Sequence, residues 1–222
     1  MDNAAVLFSG GKDSCFALYK EYKNYNIKCL ISLKPKTDSS YMFHYPNIKL
    51  VKKQARILNL PLIFKKTKGE KEKELKDLEK AVKKAVKKYK IKVLISGALA
   101  SNYQKSRIEN ICERYNLKSV TPLWHSNSEE YIKNLIRNKF EVIIVGIAAD
   151  GLNESFLGRR IGKSLVRDFK KLKIHIGGEG GEYESLVVNC PLFNKKLKIV
   201  KSKKQMENEY TGRLIIKKVG LV

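Results

Sequence analysis

The stretch that most constrains this chain lies at its start, where an apolar run (Ala4, Ala5, Val6, Leu7, Phe8) passes directly into Ser9-Gly10-Gly11-Lys12-Asp13-Ser14. A helical pattern (Phe16, Ala17, Tyr19, Lys20) follows at once, so the sequence predicts a strand, a tight turn and a helix N-terminus. Two glycines let the backbone turn and approach a ligand closely, while unpaired N–H groups and the positive end of the helix dipole favour an anion. Lys12 adds a mobile cation, and Ser9 and Ser14 add hydroxyl donors. The same residues would also serve a plain β-turn-α connection in which Asp13 or Ser14 caps the helix.

The pattern repeats down the chain. Residues 27–33 (IKCLISL) form a continuous apolar run of the kind expected for a buried parallel strand, with Ser32 at its carboxyl end. Residues 34–46 are polar and irregular and contain Ser40-Tyr41-Met42-Phe43-His44, suited either to covering a flat base or to plugging the fold. A helix is expected over 47–58, with Leu50, Val51, Ala55 and Leu58 on one face, and a short strand (Leu62, Ile63, Phe64) after Pro61. Leu75, Leu78, Val82, Val86 and Tyr89 then fall at helical spacing within 65–92, among lysines and glutamates, which reads as an amphipathic surface helix with a basic face. Val93, Leu94 and Ile95 make the fourth strand, followed by Ser96-Gly97-Ala98-Leu99-Ala100-Ser101 and a helix over 103–115. Strands alternating with helices, with small residues at the strand ends, predict a parallel doubly wound sheet whose ligands bind beyond its carboxyl edge.

After Pro122-Leu123-Trp124 the texture changes. A helix carrying Tyr131, Ile132, Leu135 and Ile136 leads to an apolar strand over 142–149, then to Leu157-Gly158-Arg159 and a helix over 162–172. These segments predict two domains, 1–121 and 122–222. The run His175-Ile176-Gly177-Gly178-Glu179-Gly180-Gly181-Glu182-Tyr183-Glu184-Ser185 packs four glycines and three glutamates into eight residues. Such composition suits neither a strand core nor a helix interior. Because strand-like sequence follows at once (Leu186, Val187, Val188), the loop is pinned between ordered elements. A pinned acidic loop in a chain of net charge +24 is suited to binding a cation, a metal or an amine, or to serving as a base.

The charge permits nucleic-acid binding, but much of it is lysine spread over the whole chain rather than arginine placed for bidentate contacts. No window approaches the ~18 apolar residues a membrane span requires, and the chain enters a strand pattern without a signal-type region. A cytoplasmic protein is expected. The four cysteines (Cys15, Cys29, Cys112, Cys190) are widely spaced, with neither a CxxC pair nor zinc-like spacing.

The 9–14 turn is neither a Walker A loop nor a dinucleotide fingerprint. It resembles the SGGxDS signature of the PP-loop ATP pyrophosphatases, which cleave ATP between its α- and β-phosphates. Together with residues 40–44, Ser96 to Ser101, Tyr103-Gln104, Arg107-Ile108, Pro122-Leu123-Trp124, Leu157-Gly158-Arg159 and Gly178-Glu179-Gly180-Gly181-Glu182-Tyr183-Glu184, it resembles the archaeal and eukaryotic diphthine–ammonia ligase family over essentially the whole chain. Asn189 departs from an expected Asp, and Ser185 stands for a more usual Thr.

The resemblance implies a HUP-like (Rossmann-like) parallel-sheet nucleotide domain with a smaller α/β C-terminal domain. It also implies ATP-dependent amidation of the diphthine carboxylate on translation elongation factor 2, through an acyl-adenylate from which ammonia, derived from ammonium, displaces AMP. ATP and Mg²⁺ would be held by Ser9, Gly10, Gly11, Lys12, Asp13 and Ser14, with Asp13 as a Mg²⁺ ligand. Ser32, His44, Ser96, Gly97, Ala98, Tyr103 and Gln104 would line the nucleotide. Lys12 would offset charge as the α–β bond breaks, and Glu179, Glu182, Tyr183 and Glu184 would hold ammonium or the trimethylammonium of diphthine and serve as base. Direct nucleic-acid binding is not required, and a homo-oligomer is compatible with the pattern. Two other readings compete. A PP-loop enzyme would modify transfer RNA by thiolation or a related base change, a thiolating form using as sulfur carrier and resolving thiol Cys112 and Cys190, which are most simply read as buried small hydrophobes; a nucleotide-binding adaptor would not turn ATP over.

Overall fold

The computed structural model describes residues 1–35, 47–67 and 71–222. Contacts gather the chain into two compact units, Met1–His125 and Ser126–Val222, dividing just beyond Pro122-Leu123-Trp124.

The first unit is built on five parallel strands: β1 (Asn3–Leu7), β2 (Asn26–Pro35), β3 (Leu62–Thr67), β4 (Val93–Ile95) and β5 (Lys118–Val120), in the order β3-β2-β1-β4-β5. The parallel doubly wound sheet is as the alternation of runs predicts. β5 escaped the pattern because it is three residues long and contains Lys118 and Ser119. The order reverses between β1 and β4, so the turns leaving those two strands face one crevice at the carboxyl edge.

Crossovers α1 (Lys12–Glu21), α2 (Val51–Ile57), α3 (Lys71–Tyr89) and α4 (Asn102–Arg114) join the strands, a short 3₁₀ turn (Ile48–Leu50) preceding α2. Residues 65–67, expected within the long basic helix, extend β3 instead, pairing with Leu33, Lys34 and Pro35. One face of the sheet buries Ile31, Leu33, Ile63 and Leu94 against Leu78, Val82 and Ala85 of α3 and Ile108, Ile111 and Cys112 of α4. Each Leu, Ile or Val side chain removed from water contributes about 1.5–3 kcal/mol, which holds the strand ends rigid enough to carry a site. Along α3 the exposed positions are largely lysines (Lys80, Lys83, Lys84, Lys87, Lys88), the solvated basic face that its periodicity predicts.

The second unit is a four-stranded antiparallel sheet, β7-β6-β9-β8, made of β6 (Glu141–Ala148), β7 (Tyr183–Asn189), β8 (Leu197–Met206) and β9 (Thr211–Leu221). Two helices accompany it, α5 (Ser128–Arg137) and α6 (Lys163–Lys171). α5 is capped by Asn127, whose side chain accepts from the Glu130 N–H, and it buries Tyr131, Ile132 and Leu135. The rings of Phe156, Phe169 and Tyr183 stack in series at 6.1 and 5.0 Å and anchor the start of β7. Arg159 pairs with Asp168 and lies over the Phe156 ring, tying the Leu157-Gly158-Arg159 turn to α6.

Candidate active site

The 9–14 turn is wound around hydroxyl groups. Ser14 Oγ accepts from the N–H of Ser9 and of Gly10, both at 3.2 Å, and donates to the Gly11 carbonyl at 3.2 Å. Ser9 Oγ accepts from the Gly11 N–H at 3.3 Å. Gly10 sits at φ +80, and a side chain there would collide with Gln54, whose Oε1 lies 2.1 Å from where a Cβ would stand. Gln54 is fully buried on α2 and its Nε2 donates to the Gly10 carbonyl at 3.0 Å, so the turn is fastened from behind. Gly11 caps α1 without offering a side chain to the helix's first N–H groups, which leaves that end suited to an anion.

Lys12 departs from the mobile cation expected of it. It is 3% exposed, and its Nζ meets both carboxylate oxygens of Asp13 at 2.9 and 3.0 Å. The pair forms one local unit of charge beside the turn. Among the described residues no group of three or more His, Cys, Asp or Glu is placed to hold a metal. Asp13 fits Mg²⁺ only as a single carboxylate ligand, the arrangement Mg²⁺ adopts when substrate phosphates and water supply its other oxygens.

The turn after β4 closes the opposite side of the crevice. A Cβ on Gly97 would stand 2.6 Å from the Asp13 carbonyl carbon and 2.8 Å from the Ser14 nitrogen, so this backbone lies directly on the first turn of α1. Ser96 beside it is buried, and its Oγ has no hydrogen-bond partner among the described residues. A buried hydroxyl without a partner costs free energy that a ligand oxygen or nitrogen would recover. Ala98 is also buried, while Gln104 donates its backbone N–H to Ser101 Oγ, the cap of α4, at 3.3 Å. Tyr103 stacks under the Arg107 guanidinium at 3.4 Å. Ser32 is buried with its hydroxyl donating to the Phe8 carbonyl, where it props the strand end from which the turn leaves. His44, with the rest of 40–44, lies outside the described residues.

In the second unit the Gly/Glu run folds back on itself. Gly178, at φ +67, packs against the Tyr183 ring: a Cβ there would lie 2.8 Å from Cε1. The Tyr183 hydroxyl donates to the Ile176 carbonyl at 2.6 Å, and the side chain is 4% exposed. Tyr183 is therefore the strut of the loop, with its ring committed to Phe169 and Gly178 rather than turned toward a cation. Glu182 Oε2 accepts from the Gly180 N–H at 2.9 Å, and Glu184 lies opposite Gly146 across the β6–β7 ladder. Glu179 Oε1 accepts from Ser128 Oγ at 2.9 Å, while its own N–H donates to His175 Nδ1 at 3.3 Å.

Asn189 has a local explanation. Its Nδ2 donates to Glu141 Oε1 at 3.2 Å, and Lys196 and Arg160 meet Glu141 Oε2. Partial burial would push the Glu141 carboxyl upward, but the Lys196 and Asn189 hydrogen bonds with the nearby cations outweigh it and hold the group below the ordinary glutamate range. An Asp at 189 would set a second carboxylate against Glu141.

The thiols offer little chemistry. All four cysteines are free and buried. Burial pushes the Cys112 thiol up to about 11 and the Cys190 thiol up to about 12, so neither supplies a useful thiolate near neutral pH. Buried, protonated thiols give no support to the sulfur-carrier role considered for this pair.

Sequence reasoning passed over Gln54, Ser128 and His175 as site residues. Gln54 carried a signal: it lies three residues after Val51 and one before Ala55, a polar residue on an otherwise apolar helix face.

The family model of the diphthamide synthase N-terminal domain matches residues 2–119, and that of the C-terminal domain matches residues 127–222. The chain belongs to the diphthamide synthase family. Among curated relatives, the diphthine–ammonia ligase of Rattus norvegicus is 33% identical over 219 residues, covering 87% of this chain and 81% of that protein. The human diphthine–ammonia ligase is 32% identical over the same length, with the same coverage. That of Schizosaccharomyces pombe is 31% identical over 233 residues, which take in 96% of this chain and 38% of that longer protein. The two diphthamide synthase domains fall on the two compact units, the first holding the 9–14 turn and the second the Gly/Glu run.

Proposed function

We propose that this protein is a diphthine–ammonia ligase, amidating the diphthine carboxylate of translation elongation factor 2 with ammonium at the expense of ATP. The observation that carries this reading is the run of relatives of that name at about 30% identity across most of their own length and of this chain. The carboxylate attacks the α-phosphorus of ATP, giving an acyl-adenylate and pyrophosphate; ammonia then displaces AMP and leaves the amide. A carboxylate is a poor electrophile, and adenylation gives its carbon a good leaving group.

In this reading the first unit is the ATP-binding domain. The 9–14 turn and the open end of α1 take the pyrophosphate end, and the Lys12–Asp13 pair sits where charge develops, with Asp13 offering one oxygen to Mg²⁺ carried on the phosphates. Ser96 supplies its buried hydroxyl and Gly97 and Ala98 a close backbone; Ser32 acts through the Phe8 carbonyl, and Tyr103, Gln104 and His44 line the nucleotide. The second unit binds the acceptor, with Glu179, Glu182 and Glu184 facing the cation and Tyr183 holding their loop. No helix of the described residues is long and apolar enough to cross a membrane. A translation factor as substrate sets the reaction in the cytoplasm.

The test is direct. Incubating the protein with ATP, ammonium and diphthine-bearing elongation factor 2 should release AMP and lower the mass of the factor by about one unit, the change from carboxylate to amide. Glu182→Gln should retain ATP binding and lose amide formation. AMP release without a mass change in the factor, or unchanged turnover by Glu182→Gln, would contradict the assignment.

A further inference from the structure

His175, Ser128 and Glu179 form a directed chain of hydrogen bonds. The Glu179 N–H donates to His175 Nδ1 at 3.3 Å, so in the neutral ring Nδ1 is the acceptor and Nε2 carries the proton. Nε2 lies 3.4 Å from Ser128 Oγ, which it meets as donor, and Ser128 passes its own hydrogen to Glu179 Oε1 at 2.9 Å. The order of donors excludes a Ser–His–acid nucleophile relay, because the imidazole nitrogen facing the serine holds a proton and cannot accept one. What the chain can do is fix a carboxylate.

Three further observations fit that role. Ser128 is the first residue of α5, so the carboxylate it holds lies against the positive end of that helix. The neighbouring acids are engaged elsewhere, Glu129 with Lys133 and Lys170, and Glu130 with Arg137. Gly177 covers the cluster: a Cβ on it would stand 3.1 Å from His175 Cε1, 3.1 Å from Ser128 Oγ and 3.3 Å from Glu179 Oε1. With Oε1 committed, Glu179 Oε2 has no hydrogen bond among the described residues.

We propose that Ser128 and His175 are positioning residues, which hold Glu179 through one carboxylate oxygen and present the other to the cationic amine that the second unit binds. The inference rests on the ligase reading. A chain of donors ending on a carboxylate polarises along its length and limits the rotation of the group, so the presented oxygen is fixed in direction.

The test compares Ser128→Ala, Ser128→Thr and Glu179→Gln in the full chain, with ATP, ammonium chloride and diphthine-bearing elongation factor 2. Loss of one hydrogen bond to a charged group predicts a KM for ammonium raised roughly ten-fold or more in Ser128→Ala, with the KM for ATP unchanged. Ser128→Thr keeps the hydroxyl and should stay close to the parent. Nitrogen-15 correlation spectra of the unmodified protein, which has only three histidines, should show His175 with Nε2 protonated and Nδ1 bare. An Nδ1-protonated ring, or equal ammonium KM values in Ser128→Ala and the parent while Glu179→Gln is impaired, overturns the inference and leaves the ligase reading intact. Full ammonium use by Glu179→Gln instead removes Glu179 from the reaction and takes the inference with it. Should Ser128→Ala fail to fold, the tautomer of His175 in the parent still decides.

Discussion

Gly97→Ala is the sharpest perturbation of the crevice. The added Cβ would stand 2.6, 2.7 and 2.8 Å from the Asp13 carbonyl carbon, its oxygen and the Ser14 nitrogen. All three are backbone atoms, so no rotamer change relieves the overlap. Restoring an ordinary 3.4 Å contact requires the two turns to part by about 0.8 Å, the difference between 3.4 and 2.6. Overpacking of this kind costs about 1–3 kcal/mol of stability, and a displacement near 1 Å at reacting groups costs on the order of 10²-fold in rate. Pyrophosphate release and calorimetric ATP titration read the two effects separately, while thermal unfolding reads the strain. Gly220→Ala is the control, because its Cβ would come no closer than 3.7 Å to Val200. A Gly97→Ala protein that binds ATP and releases pyrophosphate as the parent does would show that this contact does not shape the site.

Three other outcomes follow from the geometry. Gln54→Leu removes the donor to the Gly10 carbonyl and leaves a buried acceptor unbonded; the expected loss is about 1–3 kcal/mol in chemical denaturation, with weaker ATP binding, and unchanged affinity would free the turn from its rear support. Glu141 is held below its ordinary value, so its contribution is complete above 4.5 and fades as pH falls through the lower folded value. Glu141→Gln should therefore cost stability at neutral pH and progressively less in acid, and a gap that widens on acidification would reverse the sign. Replacing Cys112 and Cys190 together by Ala should leave AMP formation intact, since both thiols are buried and protonated; loss of activity with the fold retained would return them to the chemistry.

What could be read from the chain depended on how far apart cooperating residues lie. Ala4 to Phe8 and residues 27–33 announced themselves as buried strands because both faces of a parallel sheet exclude water, and the turn leaving β1 was legible because its glycines, lysine and hydroxyls are adjacent. The β8–β9 ribbon was not legible. Most side chains of β8 are exposed, including Val200, Lys201, Lys203 and Lys204, and its pairing with β9 shifts register between Ile199 and Ser202, so no alternation of apolar and polar residues survives. Lys12 was legible as a cation and illegible as a buried one, because its burial depends on packing that no local pattern encodes.

The acidic run shows the same division at the level of the site. Its composition marked it as a shaped loop, the family resemblance gave Tyr183 and the three glutamates a common role, and the fold separates them. Tyr183 faces inward, with its hydroxyl on Ile176 and its ring between Phe169 and Gly178. Glu179 is steered by Ser128, 51 residues earlier in the chain. A strand alternates its side chains between two faces, so Tyr183 can be buried only if Glu182 and Glu184 point the other way. The aromatic residue that the resemblance offers as a cation's partner is thus what turns the carboxylates outward, and the loop presents charge because its ring is hidden.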